Sequence, residues 1–224
     1  MHGAACGEII TLNPGEVHDG RAGLPEGCRY RMLYVERAAI ERLIEADAPQ
    51  IRNVFALSGP VLRDASLAQC VREFHLSLEA ERADPVLPLE RQSRLVQVLS
   101  LLFSRYGRPR LELPGAVAEK RCVARAKEYM LEHLGEPIRL SDLAQAVGLS
   151  PFYLLRTFKL ATGMAPHGYL NHLRLEKAKI LLRRGEPSAG VAAALGFVDQ
   201  SHLTRRFKAA FGVTPGNYAG PFCP

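Results

Sequence analysis

The 224-residue sequence predicts an α+β N-terminal domain, made of a partial β-sheet and a helical hairpin, followed by a mainly α C-terminal domain. In the C-terminal domain, two helix-turn-helix subdomains are joined by a long helix. Three observations carry this prediction. The apolar pattern changes from short alternating runs to helical stripes near residue 38, a segment of the second half repeats itself, and the basic charge lies in one half of the chain. With 47% hydrophobic residues the chain can bury a core, and roughly 100–200 residues per domain allows one or two domains.

The first elements are short. Glu8–Leu12 and Tyr30–Val35 read as strands, separated by the turn residues Asn13, Pro14 and Gly15 and by a loop running from Asp19 and Gly20 through Gly27. Helices follow over Ala38–Ala46 and about Leu62–Glu81, where Leu67, Val71, Phe74 and Leu78 recur at helical spacing. A third helix, Glu90–Tyr106, carries Leu95, Leu99, Leu102 and Tyr106 on one stripe, which Val98 and Leu101 widen. The connection 83–89 suits a helical hairpin. Such a pair can serve as a domain core, as a homodimer interface through 62–81 and 90–106, or as both at once. Residues 107–116 hold two Pro and two Gly without periodicity, which sets the expected organisation as 1–106, a linker 107–116, and 117–220.

Charge separates the two parts. Residues 1–116 hold 14 Arg and no Lys against 15 acidic residues, whereas 117–224 hold 15 Lys and Arg against 8 acidic residues. The excess positive charge of the second part suits a polyanion, because Lys and Arg release counterions when they neutralise phosphates.

In that part, 143–170 (LAQAVGLSPFYLLRTFKLATGMAPHGYL) repeats at 191–219 (VAAALGFVDQSHLTRRFKAAFGVTPGNYA), offset by 48 residues and then 49. Gly148 matches Gly196, Leu154 matches Leu203, Arg156 matches Arg205, Phe158 matches Phe207 and Lys159 matches Lys208. Each copy reads as helix, glycine turn, helix. In the first, Ser141 is expected to cap a helix ending at Val147, and Ser150 with Pro151 to begin the next. Leu154, Phe158 and Ala161 should point inward, leaving Phe152, Leu155, Arg156 and Lys159 on an outer face. The second copy should bury Leu203, Phe207 and Ala210 and present Ser201, Thr204, Arg205 and Lys208, flanked by Gln200 and His202. An outer face of this kind fits a major groove, where Arg takes guanine bidentately and apolar groups meet thymine methyls. The helix between the copies, Pro166–Arg184, spans roughly 28 Å at 1.5 Å per residue, so one chain could read two major grooves about 34 Å apart.

Over residues 117–220 these motifs resemble the AraC-type (AraC/XylS) family of bacterial transcription regulators. The resemblance implies sequence-specific binding to double-stranded promoter DNA by both subdomains, and activation through contact with RNA polymerase. At 188 and 190 the family shows an apolar and an acidic residue, but this chain has Ser188 and Gly190. Since glycine within a helix costs about 1 kcal/mol, a shorter helix is expected there, with Ser188 as its cap. The segment LNPGEVHDGRAGLPEGCRYRMLYV resembles the last strands of the family's cupin-like sensor barrel for a small-molecule effector, and the hairpin resembles its dimerisation helices. With about a dozen residues before Pro14, the sensor is expected to be a truncated barrel.

Other chemistry is sparse. His18, Arg29, Tyr30 and Tyr34 are candidate effector-binding residues. His18 with Glu16 and Asp19 invites a metal reading, but no second histidine lies at ligand spacing, so no metal, cofactor or catalytic residue is expected. Five cysteines without metal-ligand spacing are expected as free thiols, and no window approaches the ~18 apolar residues of a membrane span, so the expected location is cytoplasmic. Two alternatives remain open: a constitutive DNA-binding protein without effector response, and a cupin enzyme fused to a DNA-binding module.

Overall fold

The computed structural model describes residues 4–16, 27, 29–36, 38–40, 56–79, 88–108 and 120–219. Its strands are short. β1 (Ile9–Ile10) pairs antiparallel with β3 (Val61–Leu62), and β2 (Ala56–Leu57) pairs antiparallel with β4 (Gly107–Arg108). The strand expected over 30–35 does not form, and the start of the expected linker is itself paired in a sheet. Of the helix expected at Ala38–Ala46, only 38–40 is described, and it is helical. Asn13 joins the two sheets by side chain: its Oδ1 accepts from the Leu57 N–H at 2.6 Å, and its Nδ2 donates to the Leu57 carbonyl at 3.2 Å.

The two hairpin helices form over the expected segments, but only part of each expected stripe is fully buried: Val71, Leu78, Leu95, Leu102 and Tyr106 are half-buried. α1 (Ala65–Glu79) buries Leu67 and Phe74, and α2 (Pro88–Tyr106) buries Leu89, Val96, Val98, Leu99 and Phe103. Asp64 closes the open end. Its Oδ1 caps α1 by accepting from the Leu67 N–H at 3.0 Å, while Oδ2 meets Arg105 at 2.6 Å and the Tyr106 hydroxyl at 3.1 Å. These contacts hold the Asp64 carboxyl well below the usual range, the Leu67 amide foremost and Arg105 next.

The second half is helical throughout its described length: α3 (Lys120–Glu132), α4 (Leu140–Val147), α5 (Pro151–Thr162), α6 (Pro166–Arg183), α7 (Ser188–Ala194), α8 (Gln200–Phe211) and α9 (Pro215–Ala219). Gly148 and Gly196 end α4 and α7 in the left-handed region, φ 70° and 68°, as the repeat requires. Ser141 is not a cap: α4 begins at Leu140, where Asp142 Oδ2 accepts from the Arg139 N–H and Gln92 Oε1 of α2 accepts from the Leu140 N–H. Nor does Ser188 cap α7, since that position belongs to Pro187. Despite Gly190, α7 forms and buries Val191 and Ala192.

Packing cuts across the sequence organisation. One apolar cluster joins Leu89, Val96, Leu99 and Phe103 of α2 to α3, α4 and α5 and to Leu170 of α6; a second joins Leu175, Ala178 and Leu182 of α6 to α7 and α8. Arg174 bridges the two. It is only 1% exposed, donates through Nε to the Leu134 carbonyl at 2.9 Å and through a terminal nitrogen to that of Glu136 at 2.7 Å, and burial lowers its pKa to about 10.

Candidate nucleic-acid interface

The two repeated helices are built alike. Ser150 Oγ accepts from the Tyr153 N–H at 3.1 Å to start α5, and Asp199 Oδ1 accepts from the His202 N–H at 2.6 Å to start α8. Both end in a left-handed glycine, Gly163 and Gly212, whose N–H donates to the carbonyl of Lys159 and Lys208 respectively. Leu154 and Phe158 on one, and Leu203 and Phe207 on the other, are fully buried. Ala161 and Ala210, expected inward, are exposed.

Their outer faces differ. On α8, Gln200, Ser201, Arg205 and Lys208 are exposed, and Thr204 is half-buried with its hydroxyl donating to the Gln200 carbonyl at 2.8 Å. His202 departs from its expected place on this flank. It is fully buried edge-on to Phe197, with Nδ1 accepting from the Val198 N–H at 3.3 Å and Nε2 lying 3.2 Å from Arg206 Nε, so it braces the start of α8.

On α5, Lys159 is exposed and Arg156 half-buried, but Phe152 and Leu155, expected on an open face, are 0% and 5% exposed. Both side chains belong to the first apolar cluster, which α2, packed on α5, shares with α3, α4 and α6. Burying a side chain of this size contributes about 1.5–3 kcal/mol, so a neighbour that covers them is favoured over water.

Glu90, at the start of α2, was not singled out by sequence reasoning. Its carboxylate is 3% exposed and sits between Arg94 at 2.8 Å and Arg206 of α8 at 3.0 Å. Burial works to raise its pKa, but the guanidiniums of Arg206 and Arg94 outweigh that and hold it below the usual value. Nearby, His167 is pushed down to about 4, mainly by burial. With Pro88, Leu89, Ile138, Asn171 and Arg174 it lines a cavity of about 10 Å³, space for a single water. One faint signal of the Glu90 contact was legible: Arg206 stands where the first copy has Thr157, an extra cation outside the matched pattern.

The effector candidates are described only in part. His18 lies outside the described residues; Arg29 is exposed, and Tyr30 and Tyr34 are 75% and 85% exposed, so none of these three lines an enclosed pocket. α2 of the hairpin packs against α5 and α6 of the same chain. Among the described residues, no three His, Cys, Asp or Glu side chains could jointly hold a metal ion, no helix is long and apolar enough to cross a membrane, and Cys6, Cys70 and Cys122 are free thiols.

Comparison with known proteins places a helix-turn-helix domain over residues 143–220 and an AraC-like ligand binding domain over residues 2–99. The chain is 28% identical over 204 residues to the uncharacterized HTH-type transcriptional regulator YbfI of Bacillus subtilis, covering 88% of this chain and 70% of that protein. It is also 28% identical over 151 residues to the HTH-type transcriptional activator RhaS of Escherichia coli, covering 67% of this chain and 53% of RhaS. Among solved structures, an AraC-type DNA-binding domain protein from Chromobacterium violaceum aligns at 29% identity with a TM-score of 0.43, over 45% of this chain and 90% of that one.

Proposed function

Because the chain belongs to the AraC-type family of DNA-binding transcription regulators, we propose that it reads two successive major grooves of promoter DNA, one with α5 and one with α8, and activates transcription there. The observation that carries this reading is the outer face of α8, where Gln200, Ser201, Arg205 and Lys208 stand exposed on a helix capped like its repeat. Arg205 and Arg156 occupy matched positions and suit guanine edges; Lys208 and Lys159, one turn on, suit phosphates. α6, 18 residues or roughly 27 Å long, joins the two units and is of the same order as the ~34 Å spacing of neighbouring grooves, which supports this reading. RhaS, named an activator, supports the sign of regulation.

Its test is a titration of duplexes selected from a random pool, at fixed salt. Arg205→Ala should lose about 1–3 kcal/mol on the selected site and relax base preference at one position. Lys208→Ala should weaken all sequences alike and lower the salt slope by about 1. Unchanged affinity and base preference in Arg205→Ala would remove α8 from the interface.

Effector sensing through the region matched by the ligand binding domain is part of the same proposal. The exposure of Tyr30 and Tyr34 favours the second reading, a regulator whose DNA binding answers to no small molecule.

A further inference from the structure

The surface of α5 assigned to DNA is the surface that α2 covers. Phe152 and Leu155 are buried in the cluster that contains Leu99 and Phe103, whereas the equivalent face of α8 is open. A major groove about 12 Å wide admits one α-helix of 10–12 Å diameter, so α5 cannot enter it with α2 packed on the same face. Glu90 extends the contact to the second unit: it lies 116 residues from Arg206 in the chain yet grips it at 3.0 Å, one residue from Arg205. Its carboxylate meets that guanidinium as a phosphate oxygen would.

α2, α5 and α6 also carry buried polar groups without partners. Ser93 Oγ of α2, Thr157 Oγ1 of α5, and His167 Nδ1 and Asn171 Oδ1 of α6 are buried and make no hydrogen bond to protein. Such groups weaken an apolar contact by withholding hydrogen bonds that water would supply, which suits a surface that has to come apart.

We propose that the α1–α2 hairpin is an intramolecular competitor of DNA: docked on α5 and clasped to Arg206 through Glu90, it leaves only α8 free to bind, and two-groove binding requires its release. This rests on the assignment of α5 and α8 as reading helices. The docked population then sets the apparent affinity, since a binding-competent fraction f multiplies the apparent dissociation constant by 1/f.

The experiment uses the full chain and a random-sequence duplex of roughly 30 base pairs, long enough for two neighbouring grooves, at fixed salt. Glu90→Gln should tighten binding roughly fivefold or more by raising f. The control Glu73→Gln removes an equal charge from an exposed place on α1 and should change affinity by less than about twofold. Hydrogen exchange on the wild-type chain supplies a second readout independent of how the variant folds. Saturation with duplex should speed exchange in α2 and keep α5 protected. If Glu90→Gln matches Glu73→Gln and α2 exchange is unchanged at saturation, the competitor is overturned while DNA reading stands. If the duplex protects neither α5 nor α8, both readings fall together.

Discussion

Gly148 and Gly196 end matching helices with nearly the same φ, yet their surroundings differ. A Cβ at Gly148 would meet nothing within 4 Å, whereas at Gly196 it would stand 2.7 Å from the Arg174 guanidinium and 2.8 Å from the Gly135 carbonyl oxygen. Left-handed backbone costs an L-residue about 1–2 kcal/mol, so Gly148→Ala should lose about that much in urea unfolding. Gly196→Ala should lose clearly more, because the oxygen it meets belongs to backbone and Arg174 is already held by two carbonyls. Equal losses in the two variants would mean that the Arg174 bridge gives way easily. Both glycines were legible as turns from the repeat. The crowding at one of them was not, because it comes from a buried arginine outside the repeated motif.

At the scale of elements, the ends of helices decide what the middles cannot. Ser150→Ala and Asp199→Ala each remove a cap, costing about 1 kcal/mol apiece, measurable as a lower urea midpoint with unchanged slope. Asp64 does more, since it caps α1 and ties the far end of α2 through Arg105 and Tyr106. A carboxyl held low in the folded state contributes stability that is fully present above its unfolded pKa, about 3.9, and is lost as pH falls toward the folded value. The stability gap between wild type and Asp64→Asn should therefore be widest above about pH 4 and should shrink between pH 4 and pH 2. A gap that stayed constant over that window would place the role of Asp64 in packing alone.

Helical stripes, the Ser150 cap and the glycine turns were readable from residue types because each is a local property. The strands were less so. β1 and β3 are two residues each and pair across about fifty residues of chain, and Asn13 substitutes side-chain amide for backbone at Leu57. Reading Phe152 and Leu155 as solvent-exposed went astray for a related reason. Periodicity finds a second face on a helix, but it cannot say whether nucleic acid, another subunit or a distant segment of the same chain covers it.

For the whole molecule, the two apolar clusters predict how it comes apart. α2 is distant in sequence from α5 yet shares its cluster, while α7 and α8 share the other with the second half of α6. If cooperative units follow packing, Leu99→Ala, at a site with no exposure, should cost about 2–5 kcal/mol and register in α5 as well as in α2. Native-state hydrogen exchange tests this directly: amides of Leu154 through Phe158 should lose protection, and those of Leu203 through Phe207 should keep it. Protection lost only within α2 would return the hairpin to an independent domain that rests on its neighbour. Protection lost equally in α5 and α8 would instead make Arg174 and the Glu90–Arg206 pair strong enough to fuse both clusters into one unit.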